Sequence, residues 1–153
     1  MLLTSAALVL AQVTAGGSLG VPGEDLSRGV SCVVGVSSSQ SRSEQRGGIP
    51  SFSAARILDL RFRALLSRVH GPQILHLKVF TPRGYLYQTL TVPFGPHETR
   101  RAGEPLRFQV SATLPVAGTT IMTDGLYGQW KVEPWLDGSA TPCGVAKAFV
   151  ISP

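Results

Sequence analysis

The chain has 153 residues, which is long enough for one domain with a sizeable core and too short for two. Hydrophobic residues make up 43% and charged residues 15%, which excludes a chain that is disordered throughout. The net charge is +5, and residues 56–107 carry nine Arg or Lys against three Asp or Glu. Such a basic segment can attract an acidic glycan, a membrane surface or nucleic acid, but its alternation with apolar residues favours solvated outer faces of strands. No nucleic-acid partner is expected, because the basic residues form no recognisable module with interleaved aromatics.

Residues 1–15 are predicted to be a signal peptide. An uncharged apolar run extends from Leu2 to Val13, and small residues around Ala15 complete the pattern that an export peptidase cleaves. The basic residues that usually open such a signal are missing, so a first β-strand is the alternative. The run is too short to span a bilayer, which needs about 20 apolar residues. We therefore expect an exported chain (periplasmic, cell-surface or extracellular) without a transmembrane segment after cleavage.

Residues 16–55 are predicted to be a flexible low-complexity arm. The segment is rich in Ser, Gly, Gln and charge, a composition that buries too little apolar surface to offset the entropy of ordering. Within it, VSCVVGV (30–36) could add one edge strand. A disulfide between Cys32 and Cys143 would pin this arm to the last hairpin in an oxidising compartment, and two free thiols are the alternative.

From residue 56 onward the hydrophobic pattern has a period of two, which is typical of half-buried strands. Leu58, Leu60 and Phe62 are expected to share the buried face of the first such strand. The turn TPRG joins QILHLKVF (73–80) to YLYQTLTVPF, where alternation places Tyr85 and Tyr87 on the outer face. FQVSATL (108–114) alternates again, and GQWKVEPWLDG and GVAKAFVI form the last strand pair.

The stretch GQWKVEPWLDG carries both tryptophans of the chain. Parity places Trp130 with Val132, Pro134 and Leu136 on the core side, and Trp135 among charged residues on the outer side. A bulge at Pro134 would reverse that assignment, since proline in a strand indicates an edge or a bulge. Trp135, Tyr85 and Tyr87 are therefore the candidate partner-binding residues.

About seven short strands and no convincing helix predict an all-β fold, an antiparallel β-sandwich over residues 56–153. A closed barrel is the main alternative. The run LPVAGTTIMTDGLYGQWKVEPWLDGSATPCGVAKAFVI resembles the last strands of bacterial immunoglobulin-like and fibronectin type III-like sandwiches. That resemblance, over residues 56–152, implies an interaction, spacer or accessory module of an exported protein, with another protein or a cell-envelope component as partner.

Catalytic and metal-binding motifs are not evident. HETRR (97–101) has Arg101 where a zinc-protease helix needs its second histidine, and His70, His76 and His97 lie in separate segments. We therefore predict no enzyme activity, no cofactor and no metal site. Exposed aromatic rings can stack on pyranose rings, so a polysaccharide-binding module using the three candidate aromatics is the alternative. A small hydrolase is a third, weaker hypothesis.

Overall fold

The computed structural model describes residues 29–40, 44–46, 48–95 and 106–153, of which 44–46 are described by their backbone alone. The expected signal peptide, and the arm up to residue 28, lie outside the described residues. Neither helical segment in the described part has the length and hydropathy needed to cross a membrane. These segments are a 3-10 turn at Ala54–Arg56 and a single helical turn, α1, at Thr120–Thr123. The strands are β1 Ser31–Ser37, β2 Glu44–Arg46, β3 Ile49–Ser53, β4 Asp59–Val69, β5 Gln73–Phe80, β6 Leu86–Phe94, β7 Leu106–Pro115, β8 Gly128–Leu136 and β9 Lys147–Ser152.

The strands form two sheets, which confirms the all-β sandwich. One sheet has the order β1-β4-β7, and the other has the order β2-β3-β9-β8-β5-β6. Every pairing is antiparallel except that of β3 with β9, which is parallel. Because the two sheets remain separate, the closed barrel does not apply.

The sandwich begins earlier in the chain than residue 56. Segment 30–36, expected as an optional edge strand, forms β1 and pairs along its whole length with β4. β2 and β3 also fall inside the segment expected to be a flexible arm. Backbone hydrogen bonds to strands far away in the sequence hold β1 and β3 in place. The polar composition of the segment does not indicate these partners.

The core is centred on Trp130, whose side chain is fully buried. Its indole N–H donates to the carbonyl of Leu126 at 2.9 Å, so the polar atom of the ring has a partner. Phe149 stacks against Trp130, with ring centroids 6.3 Å apart, and meets Phe62 of the opposite sheet edge-on at 5.6 Å. The tryptophan assigned to the core by parity is therefore the residue around which the two sheets close.

Strict alternation fails at two of the positions assigned from the sequence. Leu58 is 62% exposed, because β4 begins only at Asp59, and Ile57 is buried instead. A register shift between Val79 and Phe80 pairs Phe80 with Leu86. The assignment of Tyr87 to the outer face was wrong for this reason: Tyr87 packs inward, and Leu86 is 54% exposed.

One side of the sandwich is closed covalently. Cys32 in β1 and Cys143 in the β8–β9 connection form a disulfide with Cα atoms 5.3 Å apart. The Cys32 N–H donates to the Cys143 carbonyl at 2.9 Å, and the Cys143 N–H donates to the Pro134 carbonyl at 3.0 Å. The connection therefore pairs with the C-terminal part of β8, which β9 does not reach. Through the disulfide, the connection also joins the two sheets at this side.

Candidate functional site

Trp135 lies on the outer face of the six-stranded sheet, as parity predicts, and Pro134 does not reverse the register. Its side chain is half-buried. The indole N–H donates to Glu133 at 3.2 Å, and the ammonium group of Lys78 lies 3.9 Å from the ring centroid. A cation over a tryptophan face is an attractive arrangement. Since one face of the indole is occupied, Trp135 offers less stacking surface to a sugar than a freely exposed tryptophan would.

The charges around Trp135 form a compact network. Lys131 Nζ lies 2.7 Å from a carboxylate oxygen of Glu133, whose side chain is only 18% exposed. The hydrogen bond from Lys131 lowers the pKa of Glu133, with smaller contributions from the Trp135 N–H and the charge of Lys78, against the raising effect of burial. Glu133 thus stays ionised and holds both its lysine and the indole in place.

His76 lies directly opposite Trp135 on the same face. One ring nitrogen is 3.2 Å from the Thr91 hydroxyl and the other is 3.1 Å from Asp137. A hydroxyl, an imidazole and a carboxylate in this order resemble the parts of a nucleophilic triad. However, the Asp137 side chain is 68% exposed and the row lies on an open sheet face, so water competes at every member. The arrangement forms a hydrogen-bond chain on the sheet surface.

The three aromatic candidates do not form one platform. Tyr85 is 70% exposed in the β5–β6 turn, where its carbonyl accepts from the Thr81 N–H. Thr81 lies five residues along the chain from His76, the pairing partner of Trp135, which corresponds to roughly 17 Å along a strand. Tyr87 meets the core Trp130 edge-on at 5.2 Å, and its hydroxyl lies 3.0 Å from that of Thr120. Trp135 and Tyr85 are separate surface features, and Tyr87 belongs to the edge of the core.

A different feature, which we call the open flank, lies on the side of the sandwich away from the disulfide. It consists of β6 and β7, the end strands of the two sheets, each paired on one side only. Phe94 and Phe108 meet at one end of the flank, with ring centroids 6.3 Å apart, and Tyr87 lies at the other end. Between them, Leu90 and Val110 are only half-buried, although both pack against the core.

The open flank has little charge protection along the middle of its two strands; the irregular pairing of β6 and Arg107 of β7 lie near the ends. Natural proteins place charges, bulges or prolines on edge strands to prevent unwanted pairing. Residues 86–94 and 108–115 contain no charged residue, and prolines stand only near or at their C-terminal ends, at Pro93 and Pro115. The sequence feature that could have revealed the open flank is the absence of charge in both segments. That feature points to a shared edge only once the strand order places β6 and β7 side by side.

Within the part of the chain that the structure describes, no three His, Cys, Asp or Glu side chains gather closely enough to hold a metal ion. No protein-family model matches this chain, and no curated protein matches it.

Proposed function

We propose that this chain is an exported, non-catalytic interaction module with an immunoglobulin-like sandwich, and that its partner is another protein or a cell-envelope component. The strand order supports the immunoglobulin-like assignment. If β1, β4, β5, β7, β8 and β9 are named A, B, C, E, F and G, the two sheets contain the orders A-B-E and G-F-C that immunoglobulin domains share. The disulfide supports export, since such bonds persist in oxidising compartments.

The observation that carries the proposal is the open flank. Among the described strands, none pairs with the outer edge of β6 or β7, and the backbone N–H and C=O groups of such an edge make a template for an additional strand. Half-buried apolar side chains between them, such as Leu90 and Ala112, leave apolar surface that a further strand would cover. Peptide recognition by strand addition uses this combination, with main-chain hydrogen bonds for affinity and alternate side chains for specificity.

The partner segment is defined by the chemistry of the flank. Because β6 and the adjacent part of β7 are uncharged, the segment gains nothing from a high charge and has to be extended, with apolar residues at alternate positions. The opposite side of the sandwich is unsuitable, since the Cys32–Cys143 bond and its flanking backbone hydrogen bonds already occupy it.

The test uses two neighbouring substitutions on β7. Ala112 is half-buried in the flank and Thr113 is exposed on the other face, so Ala112→Arg and Thr113→Arg add the same charge to the same strand. Arginine at residue 112 can turn its charged end to solvent while its stem fills the flank. We expect Ala112→Arg to abolish partner binding and Thr113→Arg to preserve it, with both variants folded by circular dichroism.

Cross-linking followed by mass spectrometry, with an envelope extract of the source organism, locates the contact. The proposal requires cross-links from β6 or β7 to one extended segment of the captured protein, and slowed amide exchange in β6 and β7 in the complex. Capture that Ala112→Arg leaves intact, or cross-links confined to other surfaces, would refute strand addition. Cross-links between two copies of this chain would identify the partner as the chain itself.

Polysaccharide binding is the second candidate, and the positions of Trp135 and Tyr85 on the surface favour it. A glycan array tests it directly. Binding that disappears in Trp135→Ala, with the unfolding midpoint unchanged, would support this candidate. Absence of binding to every neutral glycan would exclude it and leave the open flank as the proposed contact surface.

A further inference from the structure

The outer face of the three-stranded sheet carries four exposed arginines. Arg61 and Arg63 lie on the central strand β4, Arg68 lies near its end, and Arg107 lies on β7. We call this surface the basic face. Arg61 and Arg63 are two residues apart on one strand, so their side chains leave the same face about 7 Å apart. The face shares β7 with the open flank but is formed by the alternate side chains of that strand, and it is separate from the surface around Trp135.

The neighbours of the arginine pair are small. Gly35 of β1 and Ser111 of β7 stand on either side of Arg63, and Ser37 and Thr113 stand on either side of Arg61. Short side chains leave both guanidinium groups accessible from above the sheet. They also provide hydroxyl groups beside the cations, which can donate to or accept from a ligand.

The arginine charges of the basic face are uncompensated within the described residues. None of the four guanidinium groups there makes an ion pair with a carboxylate. The acid at the start of the same strand, Asp59, is half-buried and accepts from the hydroxyl of Ser39 at 3.2 Å. An arginine fork with no carboxylate partner among the described residues can bind an anionic group through two parallel hydrogen bonds.

The backbone around Arg68 points to a role for this charge. Arg68 has φ of 62°, the only positive φ at a non-glycine position among the described residues. It lies in the register shift between Leu66 and Val69, where Ser67 and Arg68 together oppose Arg107. Two like charges at neighbouring positions disfavour the fold, and so does a left-handed arginine where glycine would be relaxed. Strain of this kind at an exposed residue is a basis for a functional hypothesis.

We propose that the basic face binds an anionic polysaccharide, with uronate or sulfate groups on the arginines. The sugar hydroxyls would meet the Ser and Thr side chains between them. The face presents no aromatic side chain, so it lacks the stacking platform that binds single-stranded nucleic acid. The Arg61–Arg63 pair is separated from Arg68 and Arg107 by the exposed Leu65, and an extended chain of spaced anions can reach both groups where a compact ligand reaches one. The proposal extends the chain's function beyond the strand-addition site and does not depend on it.

The experiment measures binding of the disulfide-bonded full chain to immobilised polygalacturonate and dextran sulfate at about 50 and 200 mM salt, with neutral dextran as reference. We expect binding to both anionic polymers, weakened at the higher salt because screening shortens the range of the attraction. The double variant Arg61→Gln/Arg63→Gln should bind at least about tenfold more weakly, since it removes two charge-assisted contacts. Its matched control is Arg56→Gln/Arg83→Gln, which loses the same charge at two exposed arginines outside the face and should retain binding.

Arg68→Gly separates function from folding. Removing the left-handed arginine should raise the unfolding midpoint, because glycine adopts this conformation without strain, while binding to the polymers falls. Equal losses in the two double variants would overturn the proposal, since net charge alone would then explain binding. Stronger binding to duplex DNA, or to vesicles containing anionic lipid, would also overturn it, as would a failure to bind either anionic polymer at the lower salt.

Discussion

The disulfide between Cys32 and Cys143 is expected to dominate the stability of the sandwich. It closes a loop of 111 residues, which removes about 5 kcal/mol of conformational freedom from the unfolded state in the chain-entropy description. Domains of this size are stable by only about 5–15 kcal/mol, so the bond accounts for a large share of the total. The variant Cys32→Ala/Cys143→Ala should therefore unfold at a much lower urea concentration, or fail to fold at 37 °C.

Urea unfolding followed by tryptophan fluorescence measures the loss, because Trp130 changes from full burial to exposure. Alanine is the appropriate replacement at Cys32, which is buried, since serine would bury a hydroxyl group there. Reduced wild-type protein is the control and should unfold with the double variant to within about 1 kcal/mol if loop closure is the cause. A loss below about 2 kcal/mol in both would refute the reasoning.

Two further predictions concern the same side of the sandwich and the surface around Trp135. Gly144→Ala should destabilise the domain by about 2 kcal/mol or more, because a Cβ there would clash with the backbone of Cys32. Gly138 has φ of 70° and open space around it, so Gly138→Ala should cost only the backbone strain of about 1 kcal/mol. Chemical denaturation of both variants checks this, and equal losses would contradict it. For Glu133, the lowered folded-state pKa means that its stabilisation is present above its ordinary pKa of 4.5 and is lost as the pH falls through the folded value. The stability difference between wild type and Glu133→Gln should therefore shrink on acidification, and a constant difference from pH 7 to pH 2 would rule out this role.

The features that alternation could predict are those set by neighbouring residues on one strand. The division of Trp130 and Trp135 between the two faces of β8 follows from a period of two, and Pro134 does not disturb it because β5 and the β8–β9 connection hold its neighbours in register. The opposite outcome at Tyr87 came from the irregular pairing between β5 and β6. A bulge is a property of a strand pair, so inspection of one strand does not reveal it.

The features that the sequence left open are those set by contacts across the fold. β3 is ordered by parallel pairing with β9, about one hundred residues away, and polar composition alone argued against any strand there. The open flank likewise depends on which strands end the two sheets. Residues 84–95 and 108–123 are uncharged in the sequence, but only the strand order makes them adjacent edges.

The position of the disulfide also determines how the domain responds to pulling. A force applied between residues 29 and 153 passes from residue 32 directly to residue 143 through the sulfur atoms, so the intervening loop carries no load. Of the described residues, only 29–31 and 144–153 lie outside the disulfide loop, so the described part can lengthen by about 45 Å instead of several hundred. Those residues include β9, which lies between β3 and β8 inside the six-stranded sheet. The oxidised domain is therefore a nearly inextensible link under tension, and chemical reduction would convert it into a long elastic one.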